Sequence, residues 1–238
     1  MITLENVSIS YGPKNIFKDF NSSFESEKTS VLIGPSGCGK STLLKAILGL
    51  INIDDGYIRI DDRKVTDIKK DDYVETIGYM SQNSGLFPQY NVEDNVCLVA
   101  KLRGWSKEKR KRRFHELLDI ANVKERLIKK FPCQLSGGER QRVSLMRALF
   151  FNPKVIILDE PMGAIDPLVR KSMQQELSSI FRKLKKTVIL VTHDMREARD
   201  MGDKIVLLKS GKIEQQGSFE DLSVNPKTVF VKEFLELI

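Results

Sequence analysis

Residues 30–50 read SVLIGPSGCGKSTLLKAILGL, and this stretch decides the fold. The short apolar run SVLI precedes a glycine-rich turn, and the residues after the turn carry apolar side chains at helical spacing. The pattern predicts a strand, a loop and a helix in that order. Residues 34–41, GPSGCGKS, fit G-x-x-x-x-G-K-[ST] in the structural setting that this motif requires.

The motif predicts a loop that binds the phosphates of ATP. Its glycines let backbone N–H groups converge on phosphate oxygens, Lys40 reaches the β and γ phosphates, and the Ser41 hydroxyl ligates Mg²⁺. A purely structural glycine-rich turn is the alternative, and the position between a strand and a helix argues against it. The predicted nucleotide-binding residues are Gly34, Pro35, Ser36, Gly37, Cys38, Gly39, Lys40, Ser41 and Thr42.

Three further apolar runs, TIGYM, VIILDE and TVILVT, lack alternation and are predicted to be buried parallel strands. Polar residues stand at their ends: Gln82, Asp159 and His193. Because ligands bind at the carboxyl ends of parallel strands, we expect these three residues and Lys40 to meet at one edge.

Magnesium prefers oxygen ligands, which Ser41, Gln82 and Asp159 can supply. Glu160 follows Asp159 directly and is predicted to activate water. An acidic N-cap pair and a structural histidine are the plain alternatives for Asp159, Glu160 and His193.

The remaining patterns predict an α/β fold with an antiparallel β part near the N-terminus, where Ile2, Leu4, Val7 and Ile9 approximate a strand alternation. A helical region, roughly 91–151, lacks long apolar runs. We therefore expect one domain over 1–238, with 1–86 and 152–238 forming the α/β core and 87–151 an inserted helical subdomain. IVLLKSGKIEQQG predicts a hairpin around Ser210 and Gly211, and NPKTVFVKEFLELI a terminal amphipathic helix.

Composition narrows the class of protein. The 238 residues contain no stretch near the roughly 20 apolar residues that span a bilayer and show no signal-peptide pattern, so we expect a soluble cytoplasmic chain. Three cysteines without a C-x-x-C pair argue against disulfides and zinc. The net charge of +7 includes the basic run KEKRKRRFH at 107–115, which at helical spacing predicts a solvated face, so no nucleic acid is expected.

A second glycine-containing stretch, LSGGERQRV, begins at Leu135. Ser136, Gly137 and Gly138 open a predicted helix whose bare N–H groups suit an anion, while Ser136 and Glu139 also fit a capping box. Together with the order of the motifs along the chain, this stretch resembles the signature sequence of the ATP-binding cassette (ABC) family, and the resemblance covers nearly all of the chain.

The resemblance implies a P-loop NTPase (RecA-like) fold and an ATPase that works as a dimer of two copies. In such a dimer, Ser136, Gly137 and Gly138 contact the γ phosphate of an ATP held by the other subunit. Tyr11 is placed like the aromatic that stacks on adenine, and Asp166 is a further nucleotide-binding residue. Glu160 acts as general base, His193 bonds the γ phosphate, and Lys40, Gln82 and the bound Mg²⁺ complete the catalytic set.

In transporters of this family a short helix of the membrane subunit docks beside the loop after Gln82, where Leu86 and Phe87 are predicted to be exposed. The implied partners are therefore integral membrane permease subunits and, indirectly, a substrate-binding protein, with the chain on the cytoplasmic face of the membrane. The KLRGW segment around Trp105 resembles importers for glycine betaine, choline or carnitine. A soluble ABC-type ATPase acting on ribosomes or nucleic acid and an exporter ATPase remain the alternatives.

Overall fold

The computed structural model describes residues 1–69, 72–163 and 167–236. Its strands are β1 (Ile2–Tyr11), β2 (Lys14–Phe24), β3 (Thr29–Ile33), β4 (Asp55–Ile60), β5 (Arg63–Lys64), β6 (Ile77–Met80), β7 (Val155–Asp159), β8 (Thr187–Val191), β9 (Lys204–Lys209) and β10 (Lys212–Gly217). Its helices are α1 (Lys40–Ile47), α2 (Tyr73–Thr76), α3 (Val92–Leu102), α4 (Lys107–Ile120), α5 (Gly137–Leu149), α6 (Pro167–Lys183), α7 (Met195–Met201), α8 (Phe219–Val224) and α9 (Val229–Leu235).

Internal contacts divide the chain into two compact units. The first unit contains Met1–Tyr73 and Lys185–Ile238, and the second contains Val74–Leu184. The predicted helical insertion at 87–151 lies inside the second unit, and its boundaries remain a prediction.

An antiparallel sheet in the first unit has the strand order β2-β1-β4-β5. Ile2, Leu4, Val7 and Ile9 are each at most 1% exposed although their spacing changes from two residues to three between Leu4 and Val7. The pairing of β1 with β2 shifts register between these two residues, and Asn6 has φ of 50°. The irregularity explains how both apolar pairs are buried, because strict alternation would turn the second pair to the opposite face.

The other strands of the first unit have the order β10-β9-β3-β8. β3 pairs in parallel with both β8 and β9, and every residue of β3 and β8 is buried. β10 pairs antiparallel with β9 across Ser210 and Gly211, which confirms the predicted hairpin. The apolar runs therefore mark buried parallel strands, as their lack of alternation predicts.

The second unit contains the parallel pair β6 and β7 and the helices α3, α4 and α5. Each of these helices begins after a residue whose side chain accepts a hydrogen bond from a backbone N–H: Asn91 for α3, Ser106 for α4 and Ser136 for α5. Phe114 and Phe150 are fully buried, and the Trp105 ring lies 5.7 Å from that of Phe150. These caps and aromatic contacts account for helices where the sequence lacks long apolar runs.

Candidate active site

The phosphate loop lies in the first unit between β3 and α1, as the motif predicts. Gly34, Gly37 and Gly39 have φ of 153°, 78° and 112°, values that side chains with a Cβ rarely adopt. A Cβ on Gly34 would lie 2.2 Å from the Leu208 carbonyl oxygen, and one on Gly39 would lie 2.5 Å from the Phe17 ring. Backbone conformation and close packing therefore both require glycine at positions 34 and 39.

Lys40 is the first residue of α1, and its ammonium group lies over the phosphate loop. Nζ donates hydrogen bonds to the carbonyl oxygens of Gly34 at 2.7 Å and Pro35 at 3.1 Å, and it lies 3.8 Å from Cys38 Sγ. Lys40 and Cys38 are both buried, whereas Ser41 is exposed. Gly39 is the N-cap of α1 and supplies no side-chain hydrogen bond, so the first N–H groups of the helix are not bonded by a capping side chain.

His193 follows β8, the strand paired with β3. Leu32 lies opposite Val191, and the N–H of Thr192 donates to the Leu32 carbonyl oxygen at 3.3 Å. The end of β8 thus lies beside the strand that leads into the phosphate loop, and the His193 side chain is exposed. Tyr11 ends β1 and is 49% exposed, which leaves area on its ring for a stacking contact.

In the second unit, Asp159 ends β7 and contacts the neighbouring strand. The Tyr79 hydroxyl donates a hydrogen bond to Asp159 Oδ2 at 3.3 Å. Burial, together with the charge of Asp159 and this hydrogen bond, raises the pKa of Tyr79 to about 12. Tyr79 therefore stays a neutral hydrogen-bond donor to Asp159 over the physiological pH range.

Glu160 and Gln82 also lie together in the second unit. Gln82 Nε2 donates to Glu160 Oε2 at 2.6 Å. Glu160 has φ of 48°, which is uncommon for a residue other than glycine and turns the chain sharply after β7. The structure thus brings together Gln82, Asp159 and Glu160 at the ends of two paired parallel strands. The convergence of this group with Lys40 and His193 at one edge remains a prediction.

Ser136 is the N-cap of α5, and the predicted capping box is present. Its Oγ accepts a hydrogen bond from the Glu139 N–H at 3.2 Å, and the Ser136 N–H donates to Glu139 Oε2 at 2.8 Å. The bond from the Ser136 backbone lowers the pKa of Glu139. Among the described residues, a Cβ on Gly138 would make ordinary van der Waals contact with Met173 Cε at 3.5 Å. Ser136 itself is exposed.

The loop after Gln82 differs from its prediction in one respect. Phe87 is 42% exposed, as predicted, but Leu86 is only half-buried and not fully exposed. The buried Asn95 explains the compact shape of the loop, because its side chain hydrogen-bonds the backbone of Phe87, Tyr90 and Asn91.

Sequence reasoning missed two residues that hold this loop. Asn95 is a polar residue on the buried side of α3, four positions after the N-cap, and this placement was the available signal. Arg147 lies near the end of α5 and bonds the carbonyl oxygens of Ser84 and Gly85. That contact spans more than sixty residues of chain, and nothing in the local pattern predicts it.

The described residues contain no cluster of three His, Cys, Asp or Glu side chains that could hold a metal ion by itself. Ser41, Gln82 and Asp159 nevertheless offer a hydroxyl, an amide and a carboxylate, the hard oxygen donors that suit Mg²⁺ alongside phosphate oxygens. Asp166, predicted to bind nucleotide, lies outside the described residues. Within 1–69, 72–163 and 167–236, none of the helices combines the length and apolar character needed to cross a membrane.

A family model described as ABC transporter matches residues 17–163. The chain belongs to the ABC transporter family. This ABC transporter chain is 42% identical over 236 residues to the choline transport ATP-binding protein OpuBA of Bacillus subtilis (strain 168), which covers 99% of the chain and 62% of that relative. It is 38% identical over 234 residues to the glycine betaine uptake system ATP-binding protein YehX of Escherichia coli (strain K12), covering 98% of the chain and 76% of the relative.

The chain therefore spans less than two thirds of the length of OpuBA. A solved dimeric structure of MJ0796, a bacterial ABC transporter cassette, matches with a TM-score of 0.81 and 34% identity, covering 92% of this chain and 98% of the other. These matches confirm the resemblance to the ABC family and the predicted P-loop NTPase fold with its antiparallel and parallel β structure.

Proposed function

We propose that this chain is the ATP-binding and ATP-hydrolysing subunit of an ABC importer. The observation that carries the proposal is the phosphate loop, in which three glycines with positive φ lead into α1, a helix that begins with Lys40 and has no side-chain cap. This geometry offers backbone N–H groups and a cation to the phosphates of ATP. The family match supports the same conclusion.

The proposed roles follow from phosphoryl-transfer chemistry, in which positioning and charge neutralisation supply most of the catalysis. Lys40 and the loop amides hold the β and γ phosphates, and Tyr11 and Asp166 make further contacts with the nucleotide. Ser41, Asp159 and Gln82 would hold Mg²⁺, which neutralises charge on the β and γ oxygens when bound. Glu160 takes a proton from or orients the attacking water, and His193 bonds the γ phosphate.

We propose that a second copy of the chain completes the reaction centre. Ser136, Gly137 and Gly138 of one copy would contact the γ phosphate held by the other. The exposed Ser136 at the start of α5 suits an approaching anion, and the similar cassette MJ0796 was solved as a dimer. Two ATP molecules would then be enclosed between two copies, and hydrolysis would let them separate.

The importer requires further subunits, which we propose are integral membrane permeases with an external substrate-binding protein. The chain would lie peripherally on the cytoplasmic face of the membrane, with the exposed Phe87 in the docking surface. The transported solute would be a quaternary amine such as glycine betaine, choline or carnitine. The relatives named for choline and glycine betaine transport and the KLRGW segment around Trp105 support this choice.

A concentration series tests the shared reaction centre. Phosphate release from Mg-ATP, expressed per chain, should rise with chain concentration while copies are still unpaired, and the Lys40→Ala chain should release little phosphate at any concentration. Full turnover per chain by a copy shown to be monomeric by light scattering would overturn the proposed dimer mechanism.

The solute is tested by uptake in cells that carry the chain with its membrane partners. Uptake of radiolabelled glycine betaine or choline should depend on the chain and stop with Lys40→Ala. If Lys40→Ala cells take up both amines at the normal rate, the solute assignment is wrong. Co-purification of the chain with ribosomes in place of membrane proteins would favour the alternative of a soluble ATPase.

A further inference from the structure

The end of α5 holds the exposed loop that follows Gln82. Arg147 Nη1 donates to the Gly85 carbonyl oxygen at 2.6 Å, and Nη2 donates to the Ser84 carbonyl oxygen at 2.8 Å. The Ser144 hydroxyl, one turn earlier on α5, also donates to the Ser84 oxygen at 2.9 Å. Three hydrogen bonds from one helix face therefore converge on two consecutive peptide groups.

The Arg147 guanidinium is an unusual choice for a merely structural contact. It is largely buried, and burial lowers its pKa. Its hydrogen-bond partners among the described residues are backbone carbonyl oxygens, and it forms no ion pair there. A planar fork with two donors fixes the orientation of the two peptide groups more tightly than a single donor can.

The far end of the same loop is also fixed. Asn95 Oδ1 accepts from the Phe87 N–H at 2.7 Å, and Asn95 Nδ2 donates to the carbonyl oxygens of Phe87, Tyr90 and Asn91 at 3.0, 2.8 and 3.1 Å. The Phe87 and Tyr90 rings pack edge to face with centroids 5.9 Å apart. The loop 84–91 is therefore a firmly held platform whose exposed aromatic side chain is Phe87.

The start of α5 carries Ser136, the residue proposed to contact the partner copy's nucleotide. α5 contains 13 residues, and at 1.5 Å per residue Arg147 lies about 15 Å along the helix from Gly137, the residue after Ser136. A helix of this length transmits a displacement of its start to its end without much bending. Arg147 and Ser144 then connect that end to the loop that presents Phe87.

We propose that Arg147 is a positioning residue that ties loop 84–91 to α5. The nucleotide that the partner copy holds, and that contacts Ser136 of this copy, thereby sets the orientation of Phe87 toward a membrane subunit. This inference rests on the proposed function, since it needs both the two-copy ATP site and the docked membrane subunit. Arg147 itself touches neither nucleotide nor partner in this proposal.

The test uses hydrogen exchange, followed by mass spectrometry, in a chain that carries Glu160→Gln so that Mg-ATP gives a long-lived dimer. We expect Mg-ATP to change the exchange rates of amides in loop 84–91 at least threefold. Adding Arg147→Met should remove most of this response while the amides of 136–139 still respond and the dimer fraction changes less than twofold. Arg147→Lys, which keeps the charge and loses the fork, should restore part of the response. Arg112→Met, an exposed arginine of α4, is the matched control and should leave the response intact.

The outcomes separate the inference from the proposed function. If the Glu160→Gln chain remains monomeric with Mg-ATP, the two-copy mechanism falls and this inference falls with it. If the dimer forms and the loop response is absent, or is equal with and without Arg147, only the inference is overturned. Should Arg147→Met fail to fold, Arg147→Lys decides the matter: a full loop response in that variant contradicts the proposed role.

Discussion

Gln82 and Glu160 are joined by a 2.6 Å hydrogen bond between Nε2 and Oε2, at the ends of the paired strands β6 and β7. The register of these strands places Met80 opposite Leu158. Gln82 and Glu160 each follow two residues later, so they leave the sheet at the same level on neighbouring strands. This hydrogen bond occupies a Glu160 carboxylate oxygen that, in the proposed mechanism, orients or deprotonates the attacking water. A change that separates the pair would remove this hydrogen bond from Oε2, and movement of the loop after Gln82 would have that effect.

The first prediction concerns Glu160. Glu160→Gln keeps the shape of the side chain and removes the proton acceptor, so turnover should fall by about 100-fold or more while ATP still binds. Dimers should accumulate with Mg-ATP, as measured by light scattering after size exclusion. Glu220→Gln, an exposed substitution on α8, is the control that should change neither property. Normal turnover by a monomeric Glu160→Gln chain would contradict the assignment.

The second prediction separates the two roles of Ser136. Ser136→Ala removes the N-cap of α5 and should cost about 1 kcal/mol of unfolding free energy, measured by urea denaturation. Ser136→Asp retains a good cap but places a negative charge where the partner's γ phosphate is expected. It should keep most of the stability and lose both the ATP-dependent dimer and turnover.

Ser218 supplies a matched control for this pair of substitutions. It caps α8 with the same reciprocal bonds, here with Asp221. Ser218→Ala should lower stability to a similar extent and leave turnover unchanged. If Ser136→Asp turns over as fast as the unmodified chain, Ser136 acts only as a cap.

The third prediction concerns Asn95, which is 1% exposed. Asn95→Leu conserves volume but leaves the Phe87 N–H and the carbonyl oxygens of the loop without their partner. Because unsatisfied buried groups are costly, unfolding free energy should fall by about 2–3 kcal/mol. The urea midpoint measures this loss, and Asn52→Leu, at an exposed position, should shift it little. A loss below about 0.5 kcal/mol would show that the loop is not held by Asn95.

The fourth prediction concerns the three free cysteines. Cys133 is exposed and should react first with a thiol reagent, whereas Cys38 is only 3% exposed and should react slowly. Once a bulky reagent has modified Cys38, the phosphate loop should no longer admit ATP, and bound ATP should protect the thiol. Unchanged hydrolysis after complete Cys38 labelling, verified by mass spectrometry, would rule this out.

Cys97 should be the least reactive thiol near pH 8. Burial, with a smaller contribution from the charge of Glu93, raises its pKa from 9.0 to about 12. Between these two values the unfolded chain ionises this thiol while the folded chain keeps the proton. Stability from this group is therefore complete below pH 9 and declines as the pH rises toward 12. Cys97→Ala should weaken that decline.

The local parts of the fold could be predicted because short-range patterns determine them. The phosphate loop, the parallel strands and the Ser210–Gly211 hairpin each follow from residues within about ten positions of one another. The register shift near Asn6 could not be predicted from strand alternation, since a bulge inserts one residue without a distinctive sequence. The spacing of three residues between the buried Leu4 and Val7 is the sequence feature that corresponds to this register shift.

The candidate site divides in the same way. Lys40 and Ser136 could be found because each belongs to a motif that combines a turn with a helix start. Arg147 could not, because its importance depends on which carbonyl groups tertiary packing places beside it, more than sixty residues away in the sequence. Asn95 left only a weak local signal, a polar residue on the buried side of a helix.

Gly78, in the middle of β6, has a consequence for motion inside the second unit. A Cβ at this position would lie 2.2 Å from the carbonyl oxygen of Ala148, so strand and helix backbones touch with no side chain between them. Because the two backbones are in direct contact, β6 and α5 cannot slide past each other easily, and we expect them to move as one rigid body. Gln82, two residues after β6, and Ser136, the N-cap of α5, would then move together during the proposed cycle of ATP binding and hydrolysis.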